Sequence, residues 1–67
     1  MYKIFFKDCV LGQANTYSQA VTIAWDFASS IGYIFGKEVK QPFGRMNLIF
    51  YKLNQPEAHF IIVKEDK

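Results

Sequence analysis

The apolar positions of this chain change period along its length, and each period predicts an element. Tyr2, Ile4 and Phe6 alternate with Lys3, Phe5 and Lys7, the two-residue repeat of a strand over 2–7. Gly12 to Asn15 reads as a polar connection. The repeat then lengthens: Ala20, Ile23, Ala24, Phe27, Ala28 and Ile31 fall at i, i+3, i+4, i+7, i+8 and i+11, one face of a helix. Ser18, Gln19, Thr22, Asp26, Ser29 and Ser30 occupy the opposite arc, and Tyr17, Val21 and Trp25 drift off the apolar face, so Trp25 stands at its border. Thr16-Tyr17-Ser18-Gln19 has the form of a capping box, in which the hydroxyl accepts the Gln19 amide and the Gln19 side chain reaches back to the cap. Gly32 suits the left-handed residue that ends a helix. The spacing predicts a helix over about 17–31.

Between 33 and 44 no period holds. Tyr33, Ile34, Phe35, Val39 and Phe43 are apolar, while Gly36, Pro42 and Gly44 break any long element, leaving a short strand or a packed loop. Arg45 to Leu53 and Ala58 to Lys64 are rich in β-branched and aromatic residues and predict two strands, joined by a turn at Asn54-Gln55-Pro56-Glu57. The order is β-α-β-β: an α+β fold in which one helix packs on a small, mainly antiparallel sheet. No repeat or linker divides the chain, so residues 1–67 are expected to form one domain.

If Leu53 pairs with Ala58, alternation sorts the hairpin into two faces. One holds Tyr51 with Phe60, Ile49 with Ile62, and Asn47 with Lys64; the other holds Lys52 with His59, Phe50 with Ile61, Leu48 with Val63, and Met46 with Glu65. Both are apolar in the middle, whereas a sheet half-exposed to water alternates apolar-in and polar-out. One helix covers only one face. The second is covered by the 33–44 segment, by a second copy of the chain, or by a different partner. Unpaired sheet edges add strand addition as a related route.

Composition narrows the function classes. The 67 residues are 51% hydrophobic and 18% aromatic with a net charge of +2, which argues against disorder. A domain of this size buries only about 60% of its unfolded surface, so its aromatic rings must supply a dense core. Cys9 is the only cysteine, so no internal disulfide forms, and a reducing, cytoplasmic setting is expected. The first apolar run is too short for a signal peptide, and no stretch reads as a membrane span. The cations are scattered rather than gathered in a basic stripe, so nucleic-acid binding is not the first reading.

Candidate chemistry is sparse. His59 is the sole histidine, and the residues suggest no third group to orient a Cys9–His59 dyad. Cys9 reads as a small buried hydrophobe. Asp8, Asp26, Glu38 and Glu57 form no recognisable acid pair, no metal-ligand spacing is present, and Gly32-x-x-x-Gly36 lacks the ending of a phosphate loop. The expectation is a protein with no catalytic residues, metal or cofactor. Its residues for protein contact are Phe5, Ile49, Tyr51, Phe60 and Ile62 on the uncovered sheet face, with Trp25 at the rim of a nearly uncharged helix arc. The alternative is a single-strand nucleic-acid binder using Lys3, Phe5, Lys7, Arg45 and Tyr51, since aromatic and basic side chains on a sheet stack bases and track phosphates.

The β-α-β-β order, the N-terminal strand Tyr2–Lys7 and the capped helix opening Thr16-Tyr17-Ser18-Gln19-Ala20 resemble, in layout, small phage and mobile-element inhibitors of the anti-CRISPR or host-takeover type. That resemblance implies a non-catalytic inhibitor, working in the cytoplasm of a host cell, that occupies a surface of a larger complex.

Overall fold

The chain runs β1 (Tyr2–Phe6), β2 (Cys9–Ala14), α1 (Tyr17–Ser30), β3 (Ile34–Gln41), β4 (Arg45–Tyr51) and β5 (Ala58–Lys64). The computed structural model describes residues 1–65; Asp66 and Lys67, the end of the expected domain, lie outside the described residues. All neighbouring strands are antiparallel, in the order β2-β1-β5-β4-β3. The α+β class and the single helix stand, but β-α-β-β is corrected to ββαβββ. β2 was concealed because its turn is built by Lys7 (φ 52°) and Asp8 (φ 66°), left-handed residues outside the Asn-Gly vocabulary that announces a two-residue hairpin. β3 was concealed because it is an edge strand, carrying charges and broken by a bulge at Gly36.

The helix ends as its sequence predicts. Thr16 is the N-cap, its Oγ1 accepting the Gln19 amide at 3.1 Å. The return contact reaches one residue further than a capping box: Gln19 Oε1 accepts from the Asn15 amide. At the C-terminus Gly32 has φ 84°, its amide bonds to the Ser29 carbonyl, and the Tyr33 amide bonds to the Ala28 carbonyl at 2.9 Å. Ala20, Ala24 and Ala28 are fully buried, so this seam of small side chains brings the backbone close to the sheet. Large side chains rise from the strands to meet it: Ile4, Leu48, Phe50, Phe60 and Ile62. Phe60 is the hub, stacked on Phe6 at 4.6 Å and met edge-on by Phe50 and Phe27.

The β4–β5 register differs from the expected one. Phe50 lies opposite Ala58, Leu48 opposite Phe60 and Met46 opposite Ile62, so the Leu53–Ala58 pairing is corrected by three residues. An odd slip reassigns every side chain on one strand relative to the other. The observed register gathers Leu48, Phe50, Phe60 and Ile62 on the face that α1 covers, while at the end of β4 Lys52 Nζ donates to the Ile31 carbonyl at 2.9 Å, a cation at the negative end of α1. Lys52 and Leu53 leave the strand. The Gln55 amide closes on the Lys52 carbonyl, Asn54 takes φ 63°, and Tyr33 ties the connection down through a 3.0 Å bond to the Pro56 carbonyl.

Candidate binding face

With the register settled, Met46, Leu48, Phe50, Ala58, Phe60 and Ile62 lie on the α1 side, and Arg45, Asn47, Ile49, Tyr51, His59, Ile61 and Val63 on the other. No described element packs on that second side. Of the three covers offered for it, the 33–44 segment is the one the fold removes: most of that segment is a strand, β3, that extends the sheet in its own plane.

Cross-strand pairing places Val10, Phe5, Ile61, Asn47 and Val39 in one lateral row spanning all five strands. The adjoining row is polar and cationic: Gln13, Lys3, Val63, Arg45 and Gln41. On the other flank lie His59, Ile49 and Lys37. An open cleft of about 380 Å³ sits on this face, lined by Phe5, Ile61 and Val63 with Lys7, Asp8, Arg45 and His59 around them. The face is thus an apolar band with cations beside it.

The residues nominated for protein contact scatter. Phe5 and Tyr51 are on the helix-free face and accessible, whereas Ile49 shares the face but is only 5% exposed. Phe60 (0%) and Ile62 (1%) are corrected to core residues beneath α1, a direct consequence of the register slip. Trp25 lies on the helix side, stacked on Phe35 at 4.9 Å and edge-on to Phe50, yet 43% exposed. The nucleic-acid set is brought together in part: Phe5, Lys7 and Arg45 line the cleft and Lys3 lies beside it opposite Val63, whereas Tyr51 shares the face at the far end of β4, about 20 Å from Arg45. Lys3 is partly neutralised by Glu65 at 3.4 Å.

Sequence reading missed a polar network on the same face. Asn47 Nδ2 lies 3.0 Å from His59 Nδ1, and His59 Nε2 lies 3.1 Å from Glu57 Oε1, so the ring is held from both nitrogens. Asn47 is buried, and its Oδ1 has no partner among the described residues. The wrong register had set His59 opposite Lys52; in the observed one it lies opposite Ile49, within diagonal reach of Asn47. This network orients the ring beside the cleft. Cys9, expected to be buried, is exposed on edge strand β2 and lines none of the cleft that His59 borders.

On the helix side, Tyr17 donates its hydroxyl to Glu38. Burial of the phenol, then the Glu38 carboxylate beside it, raises the Tyr17 pKa well above its ordinary value, so Tyr17 remains a donor at neutral pH. Among the described residues no group of three or more His, Cys, Asp or Glu converges as a metal site, and no helix is long and apolar enough to cross a membrane. Comparison with protein-family models, curated proteins and solved structures returned no match.

Proposed function

We propose that this chain is a non-catalytic binding module that engages a protein partner through its helix-free sheet face. The observation behind this reading is the row Val10–Phe5–Ile61–Asn47–Val39, apolar at every position but Asn47, running across all five strands with no described element covering it. Val10 (54% exposed) and Val39 (37%) leave its ends open to solvent. Lys7, Lys37 and Arg45 beside it favour an apolar partner patch with an acidic rim. Occupation of a surface on a larger complex in a host cytoplasm, the action implied by the phage-inhibitor resemblance, is the most concrete form of this reading.

The test is affinity capture with wild type, Val10→Asp, Val39→Asp and Trp25→Ala, each checked for an unchanged far-ultraviolet circular dichroism spectrum. The reading expects one discrete protein retained by wild type and Trp25→Ala and lost with both aspartate variants. Loss with Trp25→Ala alone would move the contact to the helix side.

A second reading, single-stranded nucleic acid on the same face, is favoured by one observation: Lys3, Phe5, Lys7 and Arg45 gather at or beside its cleft. Oligonucleotide affinity that falls steeply with salt and is lost in Phe5→Ser with Arg45→Gln would support it. No binding at low salt would eliminate it.

A further inference from the structure

β3 is an outer strand, and Gly36 to Lys40 along it are all exposed. Its outward backbone groups form a row that water hydrates and that another strand can pair with. Two copies of the chain joined there would be related by a two-fold axis perpendicular to the sheet, so both helices stay on one side and directly opposed residues share a face. Opposed residue numbers must then have the same parity, which leaves few registers. Centring the axis on Lys37, Glu38 or Lys40 sets two like charges directly against each other. Centring it on Val39 does the reverse: Glu38 of each copy meets Lys40 of the other, twice, and Lys37 meets Gln41.

Glu38 and Lys40 both lie on the α1 side, since they oppose Leu48 and Met46. Tyr17 already holds the Glu38 carboxylate through its hydroxyl. Beyond the paired segment, the Pro42–Phe43–Gly44 tip of each copy runs alongside Ile34 and Phe35 of the other. This matters because Phe43 is 93% and Ile34 71% exposed. Phe43 also holds φ 64°, a conformation that a bulky residue rarely adopts. The other edge, β2, carries no charge with which to fix a register and is bulged near its middle.

We propose that the chain forms a homodimer through antiparallel β3–β3 addition centred on Val39, with paired Glu38–Lys40 contacts setting the register. The result is one continuous sheet in which the two helix-free faces adjoin. Val39 belongs both to this edge and to the end of the partner row, whereas Val10 lies on the opposite edge strand, so Val10→Asp separates the two readings: it should release the partner and leave the dimer in place.

Sedimentation equilibrium tests it through charge exchange. Wild type is expected to be dimeric. Glu38→Lys and Lys40→Glu each oppose like charges twice and should raise the dissociation constant at least about tenfold. The double variant restores complementarity and dimerises, and an equimolar mixture of the two single variants forms a heterodimer. Tyr17→Phe, which removes the hydroxyl bond to Glu38 without changing charge, should leave the dimer in place. In a Cys9→Ser background, Val39→Cys should cross-link on oxidation and Lys37→Cys should not. Monomeric wild type, single variants as dimeric as wild type, or no association in the mixture would each overturn the proposal. So would cross-linking stronger at 37 than at 39.

Discussion

Gly36→Ala probes how the helix-free face is sealed near β3. A Cβ added at Gly36 coincides with the Tyr51 ring and comes within 2.9 Å of the Ile49 carbonyl oxygen. The ring must therefore swing away, and the backbone of β3 or β4 must shift as well. Tyr51 is 36% exposed, so about two-thirds of a ring that buries about 200 Å² when fully enclosed is covered. At about 25 cal/mol per Å² its release costs at most about 3 kcal/mol, and about 2 kcal/mol after allowance for a compact denatured state. The carbonyl contact adds about 1 kcal/mol of strain. A total loss near 3 kcal/mol is severe for a chain whose whole stability is about 3–10 kcal/mol at typical per-residue values. The discriminating measurement is a double-mutant cycle with Tyr51→Ala, read by urea denaturation and circular dichroism. With the ring gone, Gly36→Ala should cost only about 1 kcal/mol, a coupling of about 2 kcal/mol. Equal costs in both backgrounds, within about 0.5 kcal/mol, would refute the reasoning.

Other substitutions read separate contacts. Lys52→Met keeps the aliphatic stem but removes the cation from the Ile31 carbonyl and from above the Tyr33 ring, and should cost about 0.5–1 kcal/mol in urea melts, less at high salt. Asp8→Gly relieves a left-handed non-glycine residue in the β1–β2 turn and should raise stability by about 1 kcal/mol; a loss would mean that the aspartate side chain holds the turn. The raised pKa of Tyr17 means that its folded form keeps a proton the unfolded chain gives up, so its contribution is complete below about pH 10 and declines above it. Tyr17→Phe should consequently lose stability less steeply than wild type between pH 9 and pH 11, and parallel slopes would remove the Tyr17–Glu38 contact as the cause.

What could be read from the chain was what depends on neighbours in sequence. The helix, its Thr16 cap and its Gly32 terminus all follow from spacing within one or two turns. β2 and β3 could not be read this way, because each is an edge: β2 shows Cys9, Val10 and Gln13 to solvent, and β3 alternates Lys37, Glu38, Val39 and Lys40. Edge strands carry the polar residues that otherwise signal loops. The β4–β5 register was beyond local reasoning for another reason. Both strands are apolar on both faces, so any register buries something. The observed register is the one that brings Leu48, Phe50, Phe60 and Ile62 together beneath α1, a packing between segments distant in the chain.

Register parity also explains why the candidate surface was anticipated in kind but not in membership. A helix of 14 residues is about 21 Å long and roughly 10 Å wide, while five strands span about 24 Å, so α1 occupies one face alone. That inference needs no register and stands. Which residues occupy the open face depends wholly on register: a slip of three moved Phe60 and Ile62 under the helix and brought His59, Ile61 and Val63 out. The open face is not uniformly open either. Ile49 is 5% exposed with no helix above it, surrounded on its own face by His59 and Lys37 across the strands and by Asn47 and Tyr51 along β4. That part of β4 is closed by its own neighbours, with Tyr51 laid across Gly36 and Asn47 bonded to His59. Apolar surface then remains available toward Phe5 and Val10 on one side and at Val39 on the other. A ligand of the face should therefore lose most from changes at Phe5 and Val10, while changes at Ile49 act through the fold.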